Sequence, residues 1–170
     1  MTQFSPAVKN ANFQVNPVRE ALVAGACASL LSAIALVWAG HREIRSPSAP
    51  LNAVSHWSWG TEALRKRGIT AKHTVLGYVI HHCASVWWAG LHAMAVRHSA
   101  CAHKPSVVWA GAVATSAIAC VVDFKCTPER FTPGFEHHLS RISLLGVYGA
   151  FAGGLALGAL IVRAGKSARY

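Results

Sequence analysis

Four stretches of the chain carry no charged side chain and are long enough to cross a lipid bilayer as helices. They cover residues 21–39, 74–96, 106–122 and 142–162. A helix rises about 1.5 Å per residue, so about 20 residues cross the hydrocarbon core, within a range of about 17 to 25. We therefore predict four transmembrane helices in a single membrane domain covering residues 1–170.

The distribution of charge agrees with a membrane protein. Charged residues make up 13% of the chain, against about 25% in soluble domains. The net charge of +10 comes entirely from residues outside the four stretches. Basic residues at the ends of spans interact with lipid headgroups, whereas nucleic-acid binding needs a contiguous basic patch. The lipid bilayer is therefore the expected partner, and nucleic acid is not.

The two long loops are predicted to lie on the same side of the membrane. An even number of spans places loop one, residues 40–73, and loop three, residues 123–141, opposite the two termini. Loop one contains Trp57 and Trp59 within polar sequence, a composition typical of the headgroup region. We predict a short interfacial helix there. The basic residues that flank the first span favour an orientation with the termini outside.

Small residues recur every four positions in the last predicted span. The row consists of Gly146, Ala150, Gly154 and Gly158. A similar row in the first span consists of Ala21, Gly25, Ser29 and Ala33. Rows of this kind allow close approach of two helix backbones in lipid. We expect them to pack helices within one bundle, and a dimer interface is the alternative.

A polar and aromatic stripe runs along the second predicted span. At about 100° per residue, His81 and His92 point in directions that differ by about 20°. The complete stripe is Tyr78, His81, Ser85, Trp88 and His92. Polar residues in a span usually face the bundle interior. Since Ser116 and Asp123 share a face of the third span, we expect that helix to pack against the stripe.

Several histidines and one acid are candidate metal ligands. His81, His82, His137, His138 and Asp123 are all predicted to lie near one membrane face. Imidazole and carboxylate groups together suit a divalent transition metal, or proton exchange near neutral pH. The structural alternative is a set of interhelical hydrogen bonds. Haem is a further alternative, but its second axial imidazole would have to come from His137 or His138, because the other spans contain no histidine.

Two loop motifs resemble those of a group of membrane proteins. The sequences NAVSHWSWG at residues 52–60 and TPERFTPGFE at residues 127–136 are similar to segments of uncharacterised small four-span membrane proteins of proteobacteria. The resemblance implies a bacterial inner membrane. It supplies no catalytic residues.

These observations predict an all-α, four-helix transmembrane bundle with an interfacial helical segment in loop one. We expect a non-enzymatic, multi-pass protein of the bacterial inner membrane, acting as an accessory subunit or as an oligomer. Its expected partners are the bilayer and either a second copy or another membrane protein. No cofactor is predicted. The alternatives are a metal- or proton-handling protein with a His-rich pocket, and a b-type haem redox protein.

Overall fold

The computed structural model describes residues 15–99, 101–102 and 104–167. Within these ranges the chain is helical and contains no β-strand, so the all-α prediction is confirmed. In chain order the helices are α1 (Pro17–Ile44), α2 (Ala49–Val54), α3 (His56–Trp59), α4 (Thr61–Arg65), α5 (Leu76–Arg97), α6 (Pro105–Val121) and α7 (Arg141–Ser167). Single π-helical turns precede α5 at Ala71–Val75 and follow α6 at Val122–Cys126, and 3-10 turns form at Glu129–Phe131 and Phe135–His137.

Among the described residues, three helices are long and apolar enough to cross a membrane. They are Pro17–Ile44, Pro105–Cys126 and Arg141–Gly165, which indicates a multi-pass membrane protein. Helix α5 is also long, but its three histidines lower its mean hydropathy. The four long helices contain most of each predicted span, and α1 and α7 extend beyond theirs at both ends.

Helix α1 lies between α5 and α7, and α6 packs mainly against α7. Small residues allow the close approach. A Cβ on Gly158 would lie 2.5 Å from the Cα of Ala24, and one on Gly154 would collide with the backbone of Ala28. On the other side of α1, a Cβ on Gly25 would lie 2.6 Å from the Cα of Val86 in α5.

Only part of the small-residue row on α7 packs against another helix. Gly154 and Gly158 are buried against α1, whereas Ala150 is half-buried and Gly146 is exposed. A Cβ on Gly146 would meet none of the described atoms within 4 Å. The row therefore packs helices along its second half, where α7 lies against α1.

The first half of loop one packs against the long helices. All six residues of α2 are buried. The Asn52 side chain donates hydrogen bonds to the carbonyls of Lys66 (3.0 Å) and Gly68 (2.9 Å) and accepts one from the hydroxyl of Thr74 (2.6 Å). These partners satisfy the Asn52 amide inside the loop, so α2 can be buried without an unpaired polar side chain at Asn52. Loop one thus contains short helices, of which α2 is buried against the rest of the protein, and Trp59 in α3 remains exposed.

A buried ion pair joins the first and last helices at the end of the bundle opposite loop one. The guanidinium of Arg163 donates to Oε1 of Glu20 from Nη2 (2.7 Å) and Nε (3.1 Å). Its Nη1 donates to the carbonyl of Ala102 in the α5–α6 connection. Both side chains are buried, with exposures of 7% and 2%. Helix α1, helix α7 and the α5–α6 connection thus meet at the guanidinium of Arg163.

We predict that Gly154→Ala destabilises the bundle, although alanine is the better helix former. The new methyl would collide with the backbone of Ala28, which cannot move without shifting α1. The free energy of unfolding should fall by about 1–3 kcal/mol, which appears as a lower melting temperature in detergent. Gly153→Ala is the matched control, since its methyl would meet none of the described atoms within 4 Å. Equal melting temperatures for the two variants would contradict the packing.

We also predict that Glu20→Gln lowers the melting temperature strongly, because it leaves the Arg163 charge buried without a counter-charge. Loss of one partner of a buried pair costs about 3 kcal/mol. The double variant Glu20→Leu with Arg163→Leu should recover part of the loss. Glu62 is an exposed acid that lies within 3.5 Å of Lys66, Lys72 and His73, so Glu62→Gln keeps a hydrogen-bonding group there and should leave the melting temperature almost unchanged. A similar effect of both glutamate substitutions would refute the prediction.

Candidate functional site

A cavity of about 610 Å³ lies inside the bundle, next to loops one and three. It forms because α5 and α6 meet near their short connection and then diverge. At the closed end, a Cβ on Gly111 in α6 would touch Val96, and Nε2 of His92 lies 3.3 Å from the carbonyl of Val108. At the open end, residues of α5, α6, α7 and both loops line the space between them.

The lining is predominantly apolar and rich in aromatic rings. Helix α5 contributes Trp87 and Trp88, and α7 contributes Tyr148 and Phe151. The loops contribute Trp57, Phe131 and Phe135. Val79, Trp87 and Phe131 are also exposed at the outer surface of the protein, so the cavity communicates with its surroundings. A space of this volume suits a drug-sized apolar ligand.

The cavity contains a carboxylate that is bonded to a tyrosine. Asp123 lies in the π-helical turn at the end of α6, and its Oδ2 accepts a 2.6 Å hydrogen bond from the hydroxyl of Tyr148 in α7. The same two helices are joined by Ser116, which donates to the carbonyl of Tyr148 (2.7 Å). These bonds fix α6 against α7. Ser116 and Asp123 of α6 thus form their hydrogen bonds with α7, and α6 meets the stripe on α5 at His92.

Two of the three histidines of α5 form hydrogen bonds with α1. His81 Nε2 lies 2.8 Å from the hydroxyl of Ser32, and His82 Nδ1 lies 2.8 Å from that of Ser29. Ser85 donates to the carbonyl of His81 (2.7 Å). Small residues with hydroxyl groups on α1 let both imidazole rings approach, and the sequence prediction missed this role of Ser29 and Ser32. The sequence signal for this contact was the polar face that Ser29 and Ser32 form on the first predicted span.

The polar stripe itself is divided between two environments. His81, Ser85 and Trp88 line the cavity. His92 is completely buried at the closed end against α6, and its Nδ1 has no hydrogen-bond partner among the described residues. Tyr78 stacks obliquely on His82, with ring centroids 6.0 Å apart. The stripe is therefore one helix face that borders the cavity in its middle.

The five candidate metal ligands are not brought together. His81 and His82 are bonded to serines of α1, Asp123 is bonded to Tyr148, and His137 is exposed. Burial lowers the pKa of His138, and the neighbouring His137 and Arg67 lower it further. Within the part of the chain that the structure describes, no group of three or more His, Cys, Asp or Glu side chains is placed to hold a metal ion.

Loop three forms the floor of the cavity and is fixed to loop one. The indole of Trp57 donates to the carbonyl of Thr132 (2.8 Å), and its ring meets Phe131 edge-on at 5.7 Å. Gly134 adopts a positive φ of 85° and lies directly on α2, where a Cβ would be 2.6 Å from the carbonyl oxygen of Ala53. The segments 52–60 of loop one and 127–136 of loop three are thus in contact.

A second link, between loop three and α1, was not evident from the sequence. The carboxylate of Glu43 accepts hydrogen bonds from the backbone NH (2.7 Å) and hydroxyl of Ser140, and from the hydroxyl of Ser143. Ser140 directly precedes α7, so Glu43 of α1 holds the end of loop three where α7 begins.

Comparison with known proteins does not assign the chain, since no protein-family model, curated protein or solved structure matches it.

We predict that Gly134→Ala releases loop three from loop one. An alanine at this position would be strained by the positive φ, and its methyl would collide with the carbonyl of Ala53. The docked form of the loop should lose about 1–3 kcal/mol of stability. Trypsin should then cut after Lys125 and Arg130 faster than in the unmodified protein. Gly68→Ala in loop one is the control, since its methyl would meet none of the described atoms within 4 Å. Equal cleavage rates in the two variants would show that the loops are not docked through Gly134.

Proposed function

We propose that this protein is a four-span membrane protein that binds a lipophilic small molecule in the cavity between α5, α6 and α7. The observation that supports the proposal is the cavity itself, with its volume of about 610 Å³ and its aromatic lining. A large, mostly apolar space with a few convergent polar groups is typical of a ligand site.

The contacts of α5 support its role as the fourth span. Its most polar side chains, His81 and His82, are paired with serines of α1, and His92 is buried against α6. The residues on its outer face are apolar and exposed, including Val79, Trp87 and Met94. A helix with its polar groups turned inward in this way can face lipid without a large penalty.

The location that fits best is the inner membrane of a bacterium. The motifs of loops one and three suggest this membrane, as does the basic charge outside the long helices. Both loops meet at one end of the bundle, and the Glu20–Arg163 pair marks the other. Opposite ends of the bundle would then contact opposite membrane surfaces.

Binding without catalysis is the activity that we propose. The polar groups of the cavity are engaged with one another or with the neighbouring helices: His81 with Ser32, and Tyr148 with Asp123. This arrangement suits recognition of a ligand by shape, aromatic contact and one polar end. A binding protein of this kind could act alone or as an accessory subunit of a larger membrane assembly.

We predict that Ala84→Phe abolishes ligand binding by filling the cavity that Ala84 lines. The probe is the uncharged fluorophore N-phenyl-1-naphthylamine, followed by energy transfer from Trp87 and Trp88 in lipid nanodiscs. The unmodified protein should give a saturable signal above that of empty nanodiscs. Ala114→Phe, on an exposed position of α6 outside the lining, should bind the probe normally. Equal signals from both variants would refute the proposed site.

A further inference from the structure

The cavity has an asymmetric charge. Of the described residues that line it, Asp123 is the only one with a formal charge. The rest of the lining consists of aliphatic and aromatic groups with a few polar ones, among them Ser32, Ser85 and His81. A ligand that enters this space therefore meets a carboxylate and no cation.

No basic side chain neutralises this carboxylate. Within the described part of the chain, Asp123 takes part in no ion pair. Tyr148 donates one hydrogen bond to Oδ2, and no described side chain donates to Oδ1. The basic residues nearest in sequence, Lys125 and Arg130, are exposed and do not line the cavity. Water and salt screen charges at exposed positions, so these two affect the cavity less than their number suggests.

The aromatic rings around Asp123 add a second feature that favours a positive charge. The face of an indole, phenol or phenyl ring attracts cations, and the attraction is greatest where water is excluded. Tyr148, which holds Asp123, is itself one of the lining rings, and Phe124 packs on its edge at 5.9 Å. Trp57 lies on the loop-one side and Trp88 on the α5 side of the same space. Aromatic walls and one carboxylate are the usual elements of a site for organic cations.

We propose that the ligand is a lipophilic organic cation, such as a quaternary ammonium or phosphonium ion or a protonated amine with large apolar substituents. The inference rests on the proposed function, since it assigns a chemical class to the ligand of the same cavity. The apolar substituents occupy the aromatic space, and the cationic centre lies within the field of Asp123. A cation also provides the counter-charge that stabilises the ionised carboxylate.

The experiment compares two probes that match in shape and differ in the sign of their charge. Tetraphenylphosphonium and tetraphenylborate are added separately to the full chain in nanodiscs of uncharged phosphatidylcholine, and bound probe is measured by equilibrium dialysis against empty nanodiscs. We expect saturable binding of the phosphonium that is at least about tenfold tighter than any binding of the borate, a difference of about 1.4 kcal/mol.

Variants of Asp123 test the role of the carboxylate. Asp123→Asn should weaken phosphonium binding about tenfold, because the amide can still accept the Tyr148 hydrogen bond but carries no charge. Asp123→Glu keeps the charge and should keep most of the binding, which also serves as the test where the asparagine variant does not fold. Glu129→Gln removes an exposed acid of the same loop that does not line the cavity, and it should leave binding unchanged.

The outcomes separate this inference from the proposed function. Equal binding of the phosphonium and the borate, or undiminished phosphonium binding by Asp123→Asn, would overturn the cation inference. If the uncharged naphthylamine probe still bound to the unmodified protein and not to Ala84→Phe, the cavity would remain a site for neutral ligands. Absence of binding by all three probes would overturn both proposals.

Discussion

Lipid provides no hydrogen-bond partner, so every polar side chain on a spanning helix must find one inside the protein. This constraint explains the position of α1 between α5 and α7. Its serines form hydrogen bonds with the imidazoles of His81 and His82 in α5, and its small residues pack against the glycines of α7. The same constraint joins α6 to α7 through Ser116, Asp123 and Tyr148. Helices α5 and α6 have few such links at their loop-side ends, which is where the cavity lies.

Features that depend on neighbouring residues could be predicted from the sequence. The absence of charge over long stretches predicted the long helices, and the all-helical fold is confirmed; three helices meet the criteria for a span among the residues described. Features that depend on contacts between residues distant in the sequence could not be predicted. The burial of α2 requires carbonyls 14 and 16 residues beyond Asn52, and Trp57 alone indicated only a membrane surface.

The candidate site shows the same division. The sequence identified His81, Ser85, Trp88 and Asp123 as residues of interest, and all four line the cavity. It did not identify Tyr148 or the loop-three aromatics, since an aromatic residue in an apolar span is ordinary. The assignment of α6 as partner of the stripe rested on a shared polar face, and two hydroxyl groups on α1 proved to be closer. Whether the polar face of α1 or that of α6 packs against the stripe on α5 depends on how the whole bundle folds.

The Glu20–Arg163 pair has a consequence for assembly. Its two members are 143 residues apart, in the first and last long helices. During synthesis, α1 is made long before α7, so Glu20 has no guanidinium partner until Arg163 has been added. A carboxylate near the interface can remain hydrated during that interval. The bundle is thus closed by its last helix, and a chain truncated before Arg163 would lack the partner that Glu20 has in the complete bundle.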